Sequence, residues 1–423
     1  MHEPRPTTGA EARAGVVVLG GGAAGATAVR TIVRENPSTP VLLVTGESSA
    51  PYDRTELSKA LLTGERFLPR PLFPDELAGR NVSVRTGATA VDIDLEKRVL
   101  GFGDRSQQEY GTLLLATGAS SRTLELPGVD LEGVHHIREV AGTLALRDAI
   151  PELGRLVVIG GGLIGLEVAA AARSHGCEVT VVEVADRLME RILPPAIAEF
   201  IADEHINQGV HVVMGARPTA FSDRGDGHVA SVVLADGQTL PADAVVIAIG
   251  SVPRTALAEA AGLAVDDGVL VDPHMRTSDP HVLAAGDLVR VVTADGTITP
   301  RTEAWTPAMM MGEHAARSIL GPTAPYLDVP WMWSDQYDLR LQAAGGAIGD
   351  LELVSRGNID EPTGLAVFGL ADGHIRGVVG VSRGTGIGRT VRAAMLLMQH
   401  GIEVGPDQLM DTTVELRGLV PRR

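Results

Sequence analysis

Two short apolar runs stand out in the chain, each closed by glycines and followed by an alanine-rich stretch at helical spacing. The first is GVVVL (Gly15–Leu19), followed by GGGAAGATAVRTIV; the second is RLVVI, with Leu156–Ile159 as its apolar part, followed by GGGLIGLEVAAAA. Continuous apolar runs of this length, bounded by breakers, read as strands buried on both faces of a parallel sheet. VLLV before Thr45 and EVTVV before Glu183 add a further strand to each copy. LLLATG (Leu113–Gly118) and VVIAIG (Val245–Gly250) form a matched pair of apolar strands that bracket the second copy. MLLMQHG (Met395–Gly401) places apolar residues at helical spacing before a glycine stop, the pattern of a helix core. The pattern predicts an α/β protein in which one strand–turn–helix unit is inserted into another.

The glycines give these units a chemistry. Each copy reads G-x-G-x-x-G, at Gly20, Gly22 and Gly25 and again at Gly160, Gly162 and Gly165, 140 residues apart. The first glycine of such a turn allows the tight bend, the second lets backbone approach a pyrophosphate, and the third lets helix pack closely on strand. The free N–H groups at the helix start then bind the anion. An acid about 20 residues on accepts from a ribose hydroxyl; Glu47 lies 22 residues beyond Gly25 and Glu183 lies 18 beyond Gly165. One such motif alone is a weak signal. Here both copies follow a strand, precede a helix and carry the acid. Two dinucleotide sites in one chain imply a resident FAD and a visiting nicotinamide cofactor. Glu183 would repel a 2′-phosphate, which favours NADH over NADPH, although the nearby Arg187 acts the other way.

Composition narrows the class. The 423 residues, at about 150 per domain, suggest two to four domains, and 44% hydrophobic content suffices for real cores. The single cysteine, Cys177, excludes a disulfide framework, a Cys-x-x-Cys redox pair and a thiolate zinc cluster, and reads as a small buried hydrophobe. The 12 histidines show no metal-ligand spacing, so no metal site is expected. A net charge of −17 argues against a nucleic-acid partner. No run approaches the roughly 20 apolar residues of a membrane helix. Met1–Gly15 lacks a basic segment followed by an apolar one, so a cytoplasmic protein is expected. Aromatic residues are scarce, yet Trp305, Trp331 and Trp333 fall in one short stretch. Large flat rings suit packing around an isoalloxazine; they also suit the core of a small domain.

Further segments carry a family resemblance. PYDRTELSK (Pro51–Lys59), LLLATGASSR (Leu113–Arg122), HHIRE (His135–Glu139), AVVIAIGSVP (Ala244–Pro253), VLAAGD (Val282–Asp287), RTEAWTPA (Arg301–Ala308) and VPWMWSDQYDLRLQAAG (Val329–Gly345) accompany the two glycine motifs. Together they resemble the FAD-dependent, NADH-linked ferredoxin reductases of oxygenase systems over nearly the whole chain. That resemblance implies two Rossmann-like dinucleotide-binding domains, arranged as in the disulfide reductases, plus a small C-terminal α+β domain. The expected parts are 1–119 and 251–324 for FAD, 120–250 for NAD and 325–423 for the C-terminal domain. The chain would be a monomer or a homodimer.

The resemblance also implies roles. Lys59 would lie beside the flavin, paired with Glu167, and Trp333 near the ring system. Trp305 backbone would meet the flavin pyrimidine edge. Arg54 and Arg138 match positions near the FAD phosphates or ribose; an ordinary surface arginine is the lesser alternative for each. Val91 matches a backbone contact to the adenine and also reads as a core strand valine. Asp287 suits the ribityl hydroxyls of FAD, though an aspartate there is also a good helix N-cap.

The implied reaction passes electrons from NADH through FAD to a small iron–sulfur ferredoxin serving a cytochrome P450 or a dioxygenase. A competing enzymatic reading is reduction of a small organic acceptor, a quinone or oxygen. A competing non-enzymatic reading is a redox-sensing flavoprotein with little turnover. Ferredoxins are acidic, so docking requires a local basic patch, for which Arg66, Arg70, Arg340, Arg376, Arg383, Arg389 and Arg392 are the candidates. The chain departs from the family pattern at Thr55, where a proline is usual. It departs again at VSRGTGIGRTVR (Val381–Arg392), whose glycines predict a more flexible loop.

Overall fold

The computed structural model describes residues 14–73, 80–152 and 154–421. The polar start of the chain, residues 1–13, lies outside them. Strand Ala14–Leu19 runs parallel to Val41–Val44 on one side and to Gln107–Leu115 on the other. Val82–Arg85 extends the sheet beyond Val41–Val44, and Val282–Ala284 extends it beyond Gln107–Leu115, both in parallel. The last of these strands enters from far down the chain, so the first unit is completed only after the second has been built. The opposite half of Gln107–Leu115 leaves the parallel sheet and joins an antiparallel flap with Val99–Phe102 and Ala90–Asp94.

The second copy repeats the order. Val210–Val213, Glu178–Val182, Arg155–Ile159, Ala244–Ile247 and Val134–His135 lie side by side, all parallel. Between the two units the chain crosses twice. The crossing segments, Ala119–Ser121 and Ser251–Pro253, pair with each other in antiparallel register, Ser121 facing Ser251. Residues 331–383 form a five-stranded antiparallel sheet, on which helix Ile387–Gln399 lays Ile387, Val391, Ala394 and Leu397.

Helix Ala23–Glu35 buries Ala24, Ala28, Val29 and Ile32 on one face, at the 3.6-residue spacing of an amphipathic helix. Against it packs helix Trp305–Leu320, whose Gly312 is needed for the close approach: a Cβ there would sit 2.1 Å from the Ala24 carbonyl oxygen. A second core joins three parts of the chain: Leu57, Leu61 and Leu62 from the segment after strand Val41–Val44, Leu156 and Val158 from the second sheet, and Leu339 and Leu341 from the C-terminal sheet. Leu61 and Leu62 are fully buried, each contributing about 1.5–3 kcal/mol from water exclusion. This shared core fixes the 52–62 segment where three parts of the fold meet.

The Val381–Arg392 segment corrects the sequence expectation of a flexible loop. It comprises the end of strand His374–Arg383, a short turn and the first half of helix Ile387–Gln399. Gly386 is required by sterics, since a Cβ would sit 1.7 Å from the Pro362 carbonyl oxygen. No helix among the described residues is long and apolar enough to cross a membrane.

Candidate active site

A cleft of about 1190 Å³ opens at the carboxyl end of the first parallel sheet. That volume exceeds the usual range for small-ligand pockets and suits an extended ligand. Its floor is the first glycine-rich turn. Gly20 has φ +122°, and a Cβ on it would lie 2.1 Å from the Ala116 carbonyl oxygen. A Cβ on Gly25 would lie 1.9 Å from the Gly20 carbonyl oxygen, so helix and strand touch there. A Cβ on Gly22 meets nothing within 4 Å; the space above it faces the cleft. Gly22 also starts helix Ala23–Glu35, with no side-chain cap and no acid in the first turn, leaving the helix N–H groups for an anion. The second turn repeats this geometry: Gly160 has φ +108°, a Cβ on Gly165 would lie 2.0 Å from the Gly160 oxygen, and Gly162 is open.

The cleft gathers Gly20, Gly22, Glu47, Arg54, Lys59, Val91, Arg138, Glu167, Asp287, Trp305 and Trp333 on one surface. Gly25 lies beneath the floor, while Gly160, Gly162, Gly165 and Glu183 belong to the second turn. Val91 lines the rim at 58% exposure, which corrects its reading as a core valine. It stands on the antiparallel flap, in strand Ala90–Asp94, whose buried residue is Ile93. Trp333 lines the cleft, with Lys59 Nζ 5.9 Å from its ring centroid, and Trp331 stacks behind it at 5.3 Å and packs on the C-terminal core. Of the three tryptophans, two therefore face the cleft.

Polar contacts organise the walls. Glu47 accepts from Tyr52 Oη at 2.6 Å and pairs with Arg54. Burial pushes the Tyr52 phenol up, so it acts as a donor throughout the usual pH range. Arg54 also donates to the Arg138 carbonyl. Arg138 donates to Ala119 O at 3.0 Å and to Asp287 Oδ2 at 3.1 Å, tying the first crossing segment to the late strand. Burial raises the Asp287 carboxyl against the opposing pull of Arg138. In the second turn Glu183 accepts from Gly161 N at 2.7 Å and from Ala185 N at 2.9 Å, which aims its carboxylate along the glycine backbone.

Among the described residues the most buried carboxylate is Glu167, on helix Leu163–Ser174 just after the second glycine motif. It accepts from Lys59 Nζ at 2.7 Å, from Ser334 Oγ at 2.6 Å and from Ser58 Oγ. Ser58 and Ser334 escaped the sequence reading, although both lie inside quoted segments. A serine within an otherwise patterned turn and another at an inward position of strand Trp331–Gln336 were the available signals.

Residues 14–312 match the family described as pyridine nucleotide-disulphide oxidoreductase, and residues 331–420 match the reductase C-terminal family. The chain is 35% identical over 406 residues to the biphenyl dioxygenase system ferredoxin–NAD(+) reductase component of Paraburkholderia xenovorans (strain LB400), covering 96% of this chain and 98% of that one. The chain belongs to the ferredoxin–NAD(+) reductase family. Among solved structures, the ferredoxin reductase for the CYP199A2 system of Rhodopseudomonas palustris superposes with a TM-score of 0.90 at 32% identity, covering 97% and 100% of the two chains. The covalent putidaredoxin reductase–putidaredoxin complex gives 0.90 at 29% identity, covering 97% and 99%. Unlike the disulfide-using members that the family description implies, this chain has only Cys177, which is buried and whose thiol burial pushes up.

Proposed function

We infer that the chain is a flavoprotein reductase that passes electrons from NADH through FAD to a small iron–sulfur ferredoxin serving a cytochrome P450 or a dioxygenase. The observation that carries this reading is the cleft, which joins a pyrophosphate cradle, the ion pair of half-buried Lys59 with buried Glu167, and Trp333 on one surface. The residues fit FAD: the Gly20–Gly25 turn would hold its pyrophosphate, Glu47 its ribose, Asp287 its ribityl chain, and Trp305 and Trp333 its ring system. Arg54 and Arg138 hold the acids in place, and Val91 lines the rim where the adenine would rest. When bound, FAD supplies two-electron acceptance from NADH and one-electron release to a carrier.

The protein's own part is orientation and charge. The second turn, with Gly160, Gly162 and Gly165, would hold the NADH pyrophosphate. Glu183 would accept from its ribose and disfavour an added phosphate. Lys59 would place positive charge at the flavin ring edge, with Glu167 fixing its position. We propose the division into 1–119 and 251–324 for FAD, 120–250 for NAD and 325–423 for the C-terminal domain. The paired crossing segments Ala119–Ser121 and Ser251–Pro253 support it. A cytoplasmic location is consistent with this chemistry.

The basic patch for an acidic partner narrows on inspection. Arg383 is held by Glu204 and Asp338 at 2.6 Å each, Arg340 by Asp335 at 3.1 Å, and Arg70 by Asp53 at 2.6 Å. Arg66 faces Glu56 at 3.4 Å. Arg376, Arg389 and Arg392 are exposed, with no carboxylate in ion-pair range among the described residues. They are the better docking candidates. The test is NADH-dependent cytochrome c reduction by the yellow holoprotein with and without a ferredoxin. Strong dependence on the ferredoxin is expected, and fast turnover without it would overturn the reading.

A further inference from the structure

Behind Glu167 lies a file of buried polar side chains that the reaction described above does not use. Ser334, Gln336 and His205 are all at most 2% exposed, in a region otherwise packed with leucine, isoleucine and valine. Tyr337 Oη lies 3.2 Å from His205 Nδ1, and His205 Nε2 lies 2.9 Å from Gln336 Oε1. Gln336 Nε2 donates to Ser334 Oγ at 3.1 Å, and Ser334 donates to Glu167 Oε1 at 2.6 Å. The carboxylate can only accept, so the file has one consistent direction: each hydroxyl, ring or amide donates toward Glu167. Within that direction His205 carries its proton on Nε2 and accepts from Tyr337 on Nδ1. Four donors in series polarise one another, and the last of them acts on the carboxylate that holds Lys59.

Three buried polar residues would cost stability if they were idle, and apolar residues would fill the same strand and helix positions. The file also crosses the fold. His205 lies on helix Pro195–Asn207, Gln336 and Ser334 on the first C-terminal strand, and Lys59 on the segment that follows strand Val41–Val44. We propose that Ser334, Gln336 and His205 are positioning residues that hold the Glu167 carboxylate in one orientation, and through it set the position of Lys59 at the flavin edge. The amide of Gln336 has no readily transferable proton, so the file orients rather than conducts. This proposal rests on the role assigned to Glu167.

The experiment uses the full chain with its flavin. The limiting rate and half-saturating NADH concentration for flavin bleaching are measured for Ser334→Ala, Gln336→Met, Tyr337→Phe, Ser334→Thr and Glu167→Gln. Histidine ¹⁵N spectra and melting temperatures are recorded alongside. Loss of the hydrogen bond nearest the charge should lower the limiting rate about tenfold in Ser334→Ala. Weaker cooperative effects should give about threefold in Gln336→Met and under about twofold in Tyr337→Phe. Half-saturation should hold, and Ser334→Thr should restore the rate. The His205 signal should be that of the neutral Nε2–H form and should become a tautomer mixture in Gln336→Met. A parent-like rate in Ser334→Ala beside a slow Glu167→Gln would overturn the file while sparing Glu167. A parent-like Glu167→Gln would overturn the underlying assignment and the file with it. Rate losses that follow melting temperature instead of distance from Glu167 would also reject the proposal. Should Ser334→Ala not fold, the His205 signal in Gln336→Met decides.

Discussion

Alanine placed at two glycines of the second turn should fail in opposite ways. In Gly165→Ala the new Cβ would lie 2.0 Å from the Gly160 carbonyl oxygen, where contacts under 3.0 Å are essentially never found. Helix Leu163–Ser174 must then move off the strand by about 1 Å, an overpacking cost of about 2 kcal/mol. That corresponds to roughly 4–8 °C in the melting temperature of a domain of this size. Gly162 is extended, at φ −86° and ψ −174°, and a Cβ there meets nothing within 4 Å. Gly162→Ala should therefore cost under about 1 kcal/mol of stability, the modest penalty of a poorer N-cap. Its methyl instead occupies the space a pyrophosphate needs. Losing one or two charge-assisted backbone hydrogen bonds, at about 1.5–3 kcal/mol each, weakens binding by roughly 10- to 100-fold or more. Calorimetric melting and isothermal titration with NAD⁺ separate the two effects without turnover. A Gly162→Ala protein that binds NAD⁺ like the parent, or a Gly165→Ala protein that melts like it, would refute the assignment of roles within the motif.

Arg383→Ala should lose about 1–3 kcal/mol, because it leaves the buried Glu204 short of its partner, while ferredoxin-dependent turnover keeps its salt dependence; denaturant melts and a salt series check both. Joint Arg389→Glu and Arg392→Glu should slow ferredoxin reduction at low salt and leave flavin bleaching by NADH unchanged in stopped flow. Glu183→Ser should weaken NADH and narrow the gap to NADPH when catalytic efficiencies are compared. The Asp243 carboxyl is held down by Arg155, so its contribution is fully present above the unfolded value near 3.9 and is lost as pH falls through the lower folded value. Asp243→Asn should therefore be less stable than the parent at pH 7, with the gap closing only below about pH 4 in denaturant melts.

Local rules made the cofactor cradles legible. A glycine at φ +122°, an open second glycine and a third pressed on backbone leave a spaced signature in adjacent residues, as does the acid that follows. The insertion of one unit in the other also left a trace, because the strands that lead into the two crossings, in Leu113–Gly118 and Val245–Gly250, resemble each other. What escaped depends on residues brought together from afar. Arg383 reads as a free cation until the fold sets it against Glu204, 179 positions away. Val91 reads as core until the fold sets it on the cleft rim, leaving Ile93 as the buried residue of that strand. The glycines of Val381–Arg392 suggest mobility, whereas Gly386 answers the backbone of Pro362. The file from Tyr337 to Glu167 gave no signal beyond polar residues at inward strand positions, since its other members lie on helices more than 100 residues upstream.

The chain's activity is electron transfer from NADH through FAD to a one-electron iron–sulfur carrier. Anaerobic double-mixing stopped flow tests it most directly: the oxidised holoprotein is mixed with one equivalent of NADH, and the product with two equivalents of oxidised ferredoxin. Complete bleaching of the flavin absorbance, followed by its return as the ferredoxin is reduced to two equivalents, is the predicted result. A flavin that bleaches with NADH but stays reduced after mixing with the ferredoxin, and is reoxidised only when a quinone or oxygen replaces the ferredoxin in the second mixing, would contradict that transfer.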